Sequence, residues 1–327
     1  MVRGRAVGVL VACIGCSSPK IAFDDVDAAA LSANCERLVR CGVFADQDSC
    51  EAFRPEVPDT SLVAAVNADT IHFDGVQAKQ CMDALAALTC DASTRDARDQ
   101  PAACGSMFTG TLADGDTCDF NRECSSDRCV PTAVCMPGAC CPGTCQERAA
   151  VGDSCQVTTD CVANVYCGTD DVCHALGADG DNCFIDSNCD FGLGCMAQTL
   201  PGACRALPAL GEPCPDARCA DIGAVCDATA TCVAAGLPGA PCTASSDCSS
   251  AASCDVANHV CAAFPTLGMP CTTQCAGESW CDTTQAPSTC VAPLANTTQC
   301  ETNNQCTSQF CADGPVFDFC SDLPVCS

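Results

Sequence analysis

The chain has 327 residues, 40 of them cysteine, and a formal charge of −27. A cysteine content above about 8–10% is typical of disulfide scaffolds in secreted chains. Because reducing compartments rarely keep disulfides, the composition predicts an exported protein and excludes an ordinary cytoplasmic one. Only 14 residues are aromatic, so we expect small units held by disulfides rather than one large hydrophobic core.

The negative charge is concentrated in the later part of the chain. From position 149 onward there are 20 Asp and Glu residues but only two basic ones, Arg205 and Arg218. Such a surface repels phosphate backbones and anionic lipids, so no nucleic-acid partner is expected. The partner is predicted to be an unknown protein or surface polymer, although acidity that only keeps an exposed array in solution is an open alternative.

The first residues are typical of a secretory signal. Two arginines precede an apolar stretch over 6–15 that is too short to span a bilayer. A lipoprotein-type signal peptide over 1–15 would place a lipid anchor on Cys16, and this cleavage leaves an even number of 38 further cysteines. Cys13 has the better local lipobox and is the alternative, and a cleaved signal without lipid also stays open. The membrane is expected as a partner only through this anchor.

A small disulfide-linked α-helical domain is predicted over 21–104. Leu31, Cys35, Leu38 and Val39 form one apolar face of a helix over 28–40. Further helices are predicted near 46–53, 62–66 and 76–89. The domain has six cysteines, for which spacing leaves fifteen pairings open: Cys35, Cys41, Cys50, Cys81, Cys90 and Cys104.

The later cysteines repeat, and repeats define an architecture of small units in a row. Seven modules, numbered here 1 to 7, are predicted over 118–145, 155–173, 183–204, 214–232, 242–261, 271–290 and 300–326. Module 1 is expanded and contains Cys118, Cys124, Cys129, Cys135, Cys140, Cys141 and Cys145. The cysteines of modules 2 to 4 are Cys155, Cys161, Cys167, Cys173, Cys183, Cys189, Cys195, Cys204, Cys214, Cys219, Cys226 and Cys232. Those of modules 5 to 7 are Cys242, Cys248, Cys254, Cys261, Cys271, Cys275, Cys281, Cys290, Cys300, Cys306, Cys311, Cys320 and Cys326.

The spacing between modules is constant. Nine residues separate the last cysteine of one module from the first of the next at all six junctions. A glycine stands three residues before the opening cysteine of six modules, at Gly115, Gly152, Gly180, Gly211, Gly239 and Gly268. A fixed glycine predicts a tight turn with positive φ. The regular pitch predicts a linear array in which each module contacts only its neighbours.

Module 1 carries a nameable resemblance. Its Cys-x5-Cys opening, followed by Cys140-Cys141-Pro142-Gly143-Thr144-Cys145, resembles the N-terminal cysteine-rich domain of Dickkopf-type proteins. The later quartets, with Asp160 or Asp247 before the second cysteine, are similar to the same repeat family. The whole plan resembles myxobacterial surface lipoproteins. In animals the resemblance implies an antagonist of Wnt receptors, an activity we do not carry over to a chain with a lipobox.

The fold class expected is therefore small disulfide-rich modules in tandem, with short β-hairpins and little regular secondary structure, preceded by the α-helical domain. Four cysteines allow three pairings within a module. We favour first-to-third and second-to-fourth, because interlocked loops hold a unit without a core from both ends. Each bridge of this loop size contributes about 3 kcal/mol in the chain-entropy model.

The sequence contains no recognisable motif for catalysis or cofactor binding. After the predicted signal peptide, the chain has no Cys-x2-Cys pair of the kind that zinc sites favour. No nucleophile elbow or phosphate loop appears either. Asp179-Gly180-Asp181-Asn182 and Asp114-Gly115-Asp116 resemble pieces of calcium loops but fit turn chemistry better. The three histidines, His72, His174 and His259, lie far apart in the sequence. Trp280 is either a plug over its module's disulfides or a binding anchor.

These observations predict a non-enzymatic protein without a cofactor, located at the outer membrane or cell surface as a lipoprotein, or else secreted. Adhesion, recognition or a structural stalk is the leading hypothesis. The alternative is a secreted inhibitor that presents a loop to a protease or receptor. The variable stretches 196–203 and 282–289 are the candidate loops.

Overall fold

The computed structural model describes residues 18–53, 60–91, 101–132, 142–190, 192–196, 201–214, 216–272, 274–277, 279–284, 286–295, 298–300, 305–306, 311–312 and 319–320. Within these ranges the chain has an N-terminal helical region followed by short antiparallel strand pairs in tandem, as the sequence predicts. No helix among these residues is long and apolar enough to cross a membrane.

Among its described residues, the helical domain contains five α-helices, a short 3-10 helix (Phe23–Asp25) and one short strand pair. The helices are α1 (Val26–Arg40), α2 (Gln47–Phe53), α3 (Thr60–Asn67), α4 (Gly75–Ala87) and α5 (Ala102–Ser106). Strand β1 (Ile71–Phe73) pairs with β2 (Phe108–Gly110). The four helices predicted from the sequence are confirmed, and the strand pair was not predicted because each strand has only three residues.

Helix α1 packs beside α4, and arginines at its end fix the contact. Arg37 Nε donates to the carbonyl of Thr89 at 3.0 Å, and Arg40 Nη2 donates to that of Ala86 at 2.7 Å. These carbonyls at the end of α4 lack partners within the helix, so the arginines cap it. At the other end, the Asp74 carboxylate accepts from the amides of Val76 and Gln77.

Three disulfides tie the helices together. They join α1 to α2 (Cys35–Cys50), the end of α1 to the segment after α4 (Cys41–Cys90), and α4 to α5 (Cys81–Cys104). Around the first two lies an apolar cluster with Leu38 and Phe44, which also contains the predicted apolar face of α1. The structure thereby selects one of the fifteen pairings that the spacing left open.

Each module is built on a hairpin whose strands carry its third cysteine and its fourth, or in module 1 its last; Cys326 lies outside the described residues. Module 1 has β3 (Thr117–Cys118), β4 (Cys129–Pro131) and β5 (Gly143–Cys145), and module 2 has β6 (Val165–Cys167) and β7 (Cys173–Ala175). Module 3 has β8 (Asn182–Cys183), β9 (Leu193–Met196) and β10 (Gly202–Ala206), and module 4 has β11 (Ala224–Cys226) and β12 (Cys232–Ala234). Modules 5 to 7 have β13 (Ala252–Asp255), β14 (Val260–Ala263), β15 (Trp280–Asp282), β16 (Thr289–Val291), β17 (Cys311–Ala312) and β18 (Phe319–Cys320).

The pairing expected for the modules is confirmed in modules 2 to 6. There the first cysteine bonds the third and the second bonds the fourth, as in Cys155–Cys167 and Cys161–Cys173. Module 1 follows the rule with its last cysteine as the fourth, since Cys124 bonds Cys145. Cys135, Cys140 and Cys141 lie outside the described residues.

The junction glycines adopt the predicted backbone. All six have φ between +82° and +95°, a region that glycine enters without steric cost. At each, the amide donates to the carbonyl of its own module's last cysteine, as from Gly152 to Cys173 at 2.9 Å. The turn at each junction glycine is therefore hydrogen-bonded to the last strand of the module that it opens.

The expectation of contacts between neighbouring modules alone is wrong, because modules 4 to 6 pack against the helical domain. The amide of Ile222 donates to the carbonyl of Cys90 at 2.8 Å, and Ala251 belongs to the apolar cluster around Cys35. The ring of Phe264, in the segment between modules 5 and 6, stacks on that of Phe53, with centroids 5.7 Å apart. In module 6, Gly277 approaches the carbonyl oxygen of Ala52 so closely that a Cβ there would lie 2.8 Å from it. The helical domain leaves apolar side chains at its surface, and the array covers them, which the hydrophobic effect favours.

Candidate binding groove

Modules 2, 3 and 5 share one local device at the junction with the preceding module. The residue before the second cysteine ends a short 3-10 turn, and its side chain accepts two backbone amides four and three positions earlier. Asp160 accepts from Gln156 and Val157 in module 2, and Asp247 accepts from Thr243 and Ala244 in module 5. Asn188 makes the same two bonds in module 3 with its amide oxygen. The position therefore needs an acceptor oxygen but not a charge.

A groove with a volume of about 590 Å³ lies between modules 4 and 5. Its wall on the module 4 side is the β11–β12 hairpin, where Val225 and Val233 are cross-strand partners. Asp247, Pro241 and His259 line it from the module 5 side. Each of the two modules is cross-linked by two disulfides of its own, so each wall of the groove is held rigid within its module.

Two carboxylates give the groove its charge. Hydrogen bonds from the amides of Thr243 and Ala244, and from the Thr243 hydroxyl, hold the pKa of Asp247 below its usual range. The Thr229 hydroxyl and the Thr231 amide lower the pKa of Asp227, and they outweigh the burial and the negative charge of Asp247, which raise it. Both groups are therefore ionised at neutral pH, and neither has an ion pair among the described residues.

The sequence did not single out these groove residues for their role. The sequence marks Asp247 only by its place in the repeat, and nothing in the sequence alone distinguishes Asp227 or Val225. The informative positions are the residue before the second cysteine and the residue before the third cysteine of each module. The differences between modules at these positions become visible only when the modules are aligned on their disulfides.

The residues predicted to carry chemistry are placed as follows. Cys13 and Cys16 lie outside the described residues. The cysteines of the helical domain and of modules 2 to 6 are all disulfide-bonded, and so are Cys300 and Cys306. In at least five of the described modules three cysteine sulfurs lie within 4.8 Å of one another, for example those of Cys155, Cys161 and Cys173. These clusters consist of sulfurs in adjacent disulfides and not of free thiolates.

The histidines do not come together. His72 is exposed on β1, and only His259 lines the groove. His174 stacks on Tyr166 with centroids 5.6 Å apart, and its Nε2 lies 2.9 Å from an oxygen of Asp170. The described histidines thus have surface or groove positions, and none lies beside another.

The two calcium-like fragments form turns. The Asp116 carboxylate accepts from the amide of Ala113, and that of Asp181 accepts from Ala178. Trp280 is half-buried on β15 opposite Val291, and its Nε1 is buried without a hydrogen-bond partner. The candidate loop 196–203 is described only in part.

Comparison with known proteins adds no relative: no protein-family model, no curated protein and no solved structure matches this chain. The class of protein therefore follows from the fold. The many disulfides in tandem modules define a cysteine-rich repeat protein of the secreted or cell-surface type.

Proposed function

We propose that the protein is a non-enzymatic recognition protein that binds another protein through its repeat array, at the cell surface or after secretion. The observation that carries this proposal is the open, acidic groove between modules 4 and 5, whose walls are fixed by four disulfides. A pre-formed cleft with few polar groups among apolar ones is the usual form of a binding site, and rigid walls reduce the entropy lost on binding.

The packing of the array favours recognition over a structural stalk. An extended stalk needs modules that contact only their neighbours, whereas modules 4 and 5 and the segment after them pack on the helical domain through Ile222, Ala251 and Phe264. The groove thereby belongs to a body made of the helical domain and part of the array. The modules themselves are proposed to be Dickkopf-like repeats, for which the cysteine spacing is the support.

The pull-down that tests this function uses the full oxidised chain as bait. We expect capture of a specific partner from the surface or medium fraction, and loss of that partner when the bait is reduced and alkylated. The proposal fails if the oxidised and the reduced baits retain the same proteins, because binding would then not depend on the folded modules.

Location is the second part of the proposal. We propose a lipid anchor on Cys16, with Cys13 as the alternative, supported by the lipobox-like residues before both. Mass spectrometry of the mature N-terminus checks the anchor, and an unmodified N-terminus after position 16 would rule it out. Recovery in the outer-membrane fraction supports surface display, and recovery in the medium supports the diffusible inhibitor that is the alternative function.

A further inference from the structure

The first junction of the array shows how a guanidinium fits between two modules. Arg128 stands immediately before the third cysteine of module 1. Its Nε donates to Asp160 Oδ1 of module 2 at 3.3 Å, and its Nη1 donates to the carbonyl of Glu147 at 2.8 Å. Both side chains are largely buried, with 17% and 16% of their surface exposed. The junction therefore binds a planar cation between a carboxylate and a carbonyl.

The junction between modules 4 and 5 repeats this arrangement without the cation. Asp247 stands before the second cysteine of module 5, as Asp160 does in module 2. Ala234 follows the last cysteine of module 4 by two positions, as Glu147 does in module 1, and it lines the groove. Val225, however, stands where module 1 has Arg128. The shorter, neutral side chain leaves the space that the groove occupies.

No other basic residue of the described chain compensates Asp247. It has no ion pair among the described residues, and the sequence contains no Lys or Arg after Arg218. Arg218 itself is used at the preceding junction, where it bonds Asp186 and the carbonyl of Cys195. A second carboxylate, Asp227, faces the same groove and adds to the negative potential.

We propose that the groove between modules 4 and 5 binds an arginine side chain of a partner protein, in the position that Arg128 occupies at the first junction. The guanidinium would bond the Asp247 carboxylate and the Ala234 carbonyl, and its aliphatic stem would lie on Val225 and Val233. Arginine suits this site better than lysine because its planar fork reaches two acceptors and its stem packs on apolar walls. The inference rests on the proposed recognition function and names the chemistry of the partner.

The test uses the full oxidised chain and a short peptide, Gly-Val-Arg-Val-Gly, followed by NMR. The control peptide has citrulline in place of arginine, which keeps the shape and removes the charge. We expect the arginine peptide to shift the amide signals of Val225 and Val233, and to bind at least about tenfold more tightly than the citrulline peptide. Equal binding of the two peptides would overturn the proposal, and so would shifts produced by Ca²⁺ but not by the arginine peptide.

Two substitutions locate the binding. Val225→Arg supplies the internal guanidinium and is expected to abolish peptide binding. Asp247→Asn keeps the turn, as Asn188 shows in module 3, and is expected to weaken binding at least about tenfold. Asp160→Asn is the matched control, since its charge is already paired, and it should leave binding unchanged. Peptide binding that survives both groove substitutions would contradict the proposal.

The same variants separate this inference from the proposed function. If the wild-type bait captures a specific partner and Val225→Arg captures it equally well, the groove proposal falls and the recognition function stands. If no partner is captured by the wild-type chain although the arginine peptide binds the groove, the recognition function falls and the site stands. Loss of the partner in both groove variants, with retention in Asp160→Asn, supports both.

Discussion

Alanine at Gly223 is expected to detach module 4 from the helical domain. A Cβ at this position would lie 1.9 Å from the carbonyl oxygen of Cys41, and real Cβ atoms do not approach another atom so closely. The carbonyl oxygen of Cys41 belongs to the backbone, and the position of a Cβ is fixed by the backbone of its own residue. Neither atom can therefore move aside by a change of side-chain rotamer. The contact between module 4 and the helical domain must therefore open.

The size of the effect follows from what the opening removes. The hydrogen bond from the Ile222 amide to the Cys90 carbonyl contributes about 1 kcal/mol, and the packing of the half-buried Ile222 side chain on the cluster around Cys35 contributes about 1 kcal/mol more. A loss of about 2 kcal/mol corresponds to roughly thirtyfold faster hydrogen exchange. The disulfides within module 4 are not affected, so the module itself should stay folded.

Hydrogen exchange of the Ile222 amide measures this directly, because its acceptor belongs to the helical domain. Gly105→Ala is the matched control, since no heavy atom lies within 4 Å of a Cβ built at Gly105. We expect the Ile222 amide to exchange faster in Gly223→Ala and at the native rate in Gly105→Ala. Equal exchange in the two variants would show that the contact does not hold in solution.

Three further predictions concern the array. Reduction is expected to unfold modules 2 to 6, because their buried clusters consist almost entirely of cysteines, and unchanged protease resistance in reductant would contradict this. Gly152→Ala should lower thermal stability by about 1 kcal/mol, because φ is +94° there, whereas Gly105→Ala should not; calorimetry decides. Partial burial raises the pKa of Asp160, but the amides of Gln156 and Val157 and the Arg128 guanidinium outweigh it and lower the pKa. The stability that this gives is present above the unfolded-state value of about 3.9 and is lost as the pH falls through the lower folded value. Acid titration of the unfolding free energy should therefore show a smaller decline in Asp160→Asn, and an identical decline would refute it.

The modules were predictable from the sequence because their determinants are local. The constant nine-residue gaps, the junction glycines and the cysteine order act within one module or between adjacent ones, so they leave a periodic trace. The positive φ of Gly152 and its equivalents followed from that trace. The pairing in modules 2 to 6 followed from the cysteine order only together with the argument that interlocked loops hold a unit without a core. The helix α1 was likewise visible through its apolar face.

The contact between the helical domain and modules 4 to 6 left no such trace. It depends on single residues, Gly223, Ala251 and Phe264, each of which is unremarkable where it stands in the sequence. Glycine and alanine occur in ordinary loops as well as at close backbone contacts. Only the folded structure therefore shows which of these small residues form the contact. The groove could not be predicted for a related reason. Val225 is informative only when it is compared with Arg128, which has the equivalent position in module 1.

The contact at Ile222 also decides how the protein carries mechanical load. Module 1 is joined to the helical domain by the Thr70 hydroxyl, which donates to Glu123 at 2.8 Å, and the chain returns to that domain at module 4. Modules 2 and 3 lie in the chain between these two attachments. We expect tension applied between the N-terminus and modules 4 and 5 to pass first through the contacts at Ile222, Ala251 and Phe264. Once these contacts break, modules 2 and 3 would carry the load, so the protein is expected to yield in two stages without breaking a disulfide.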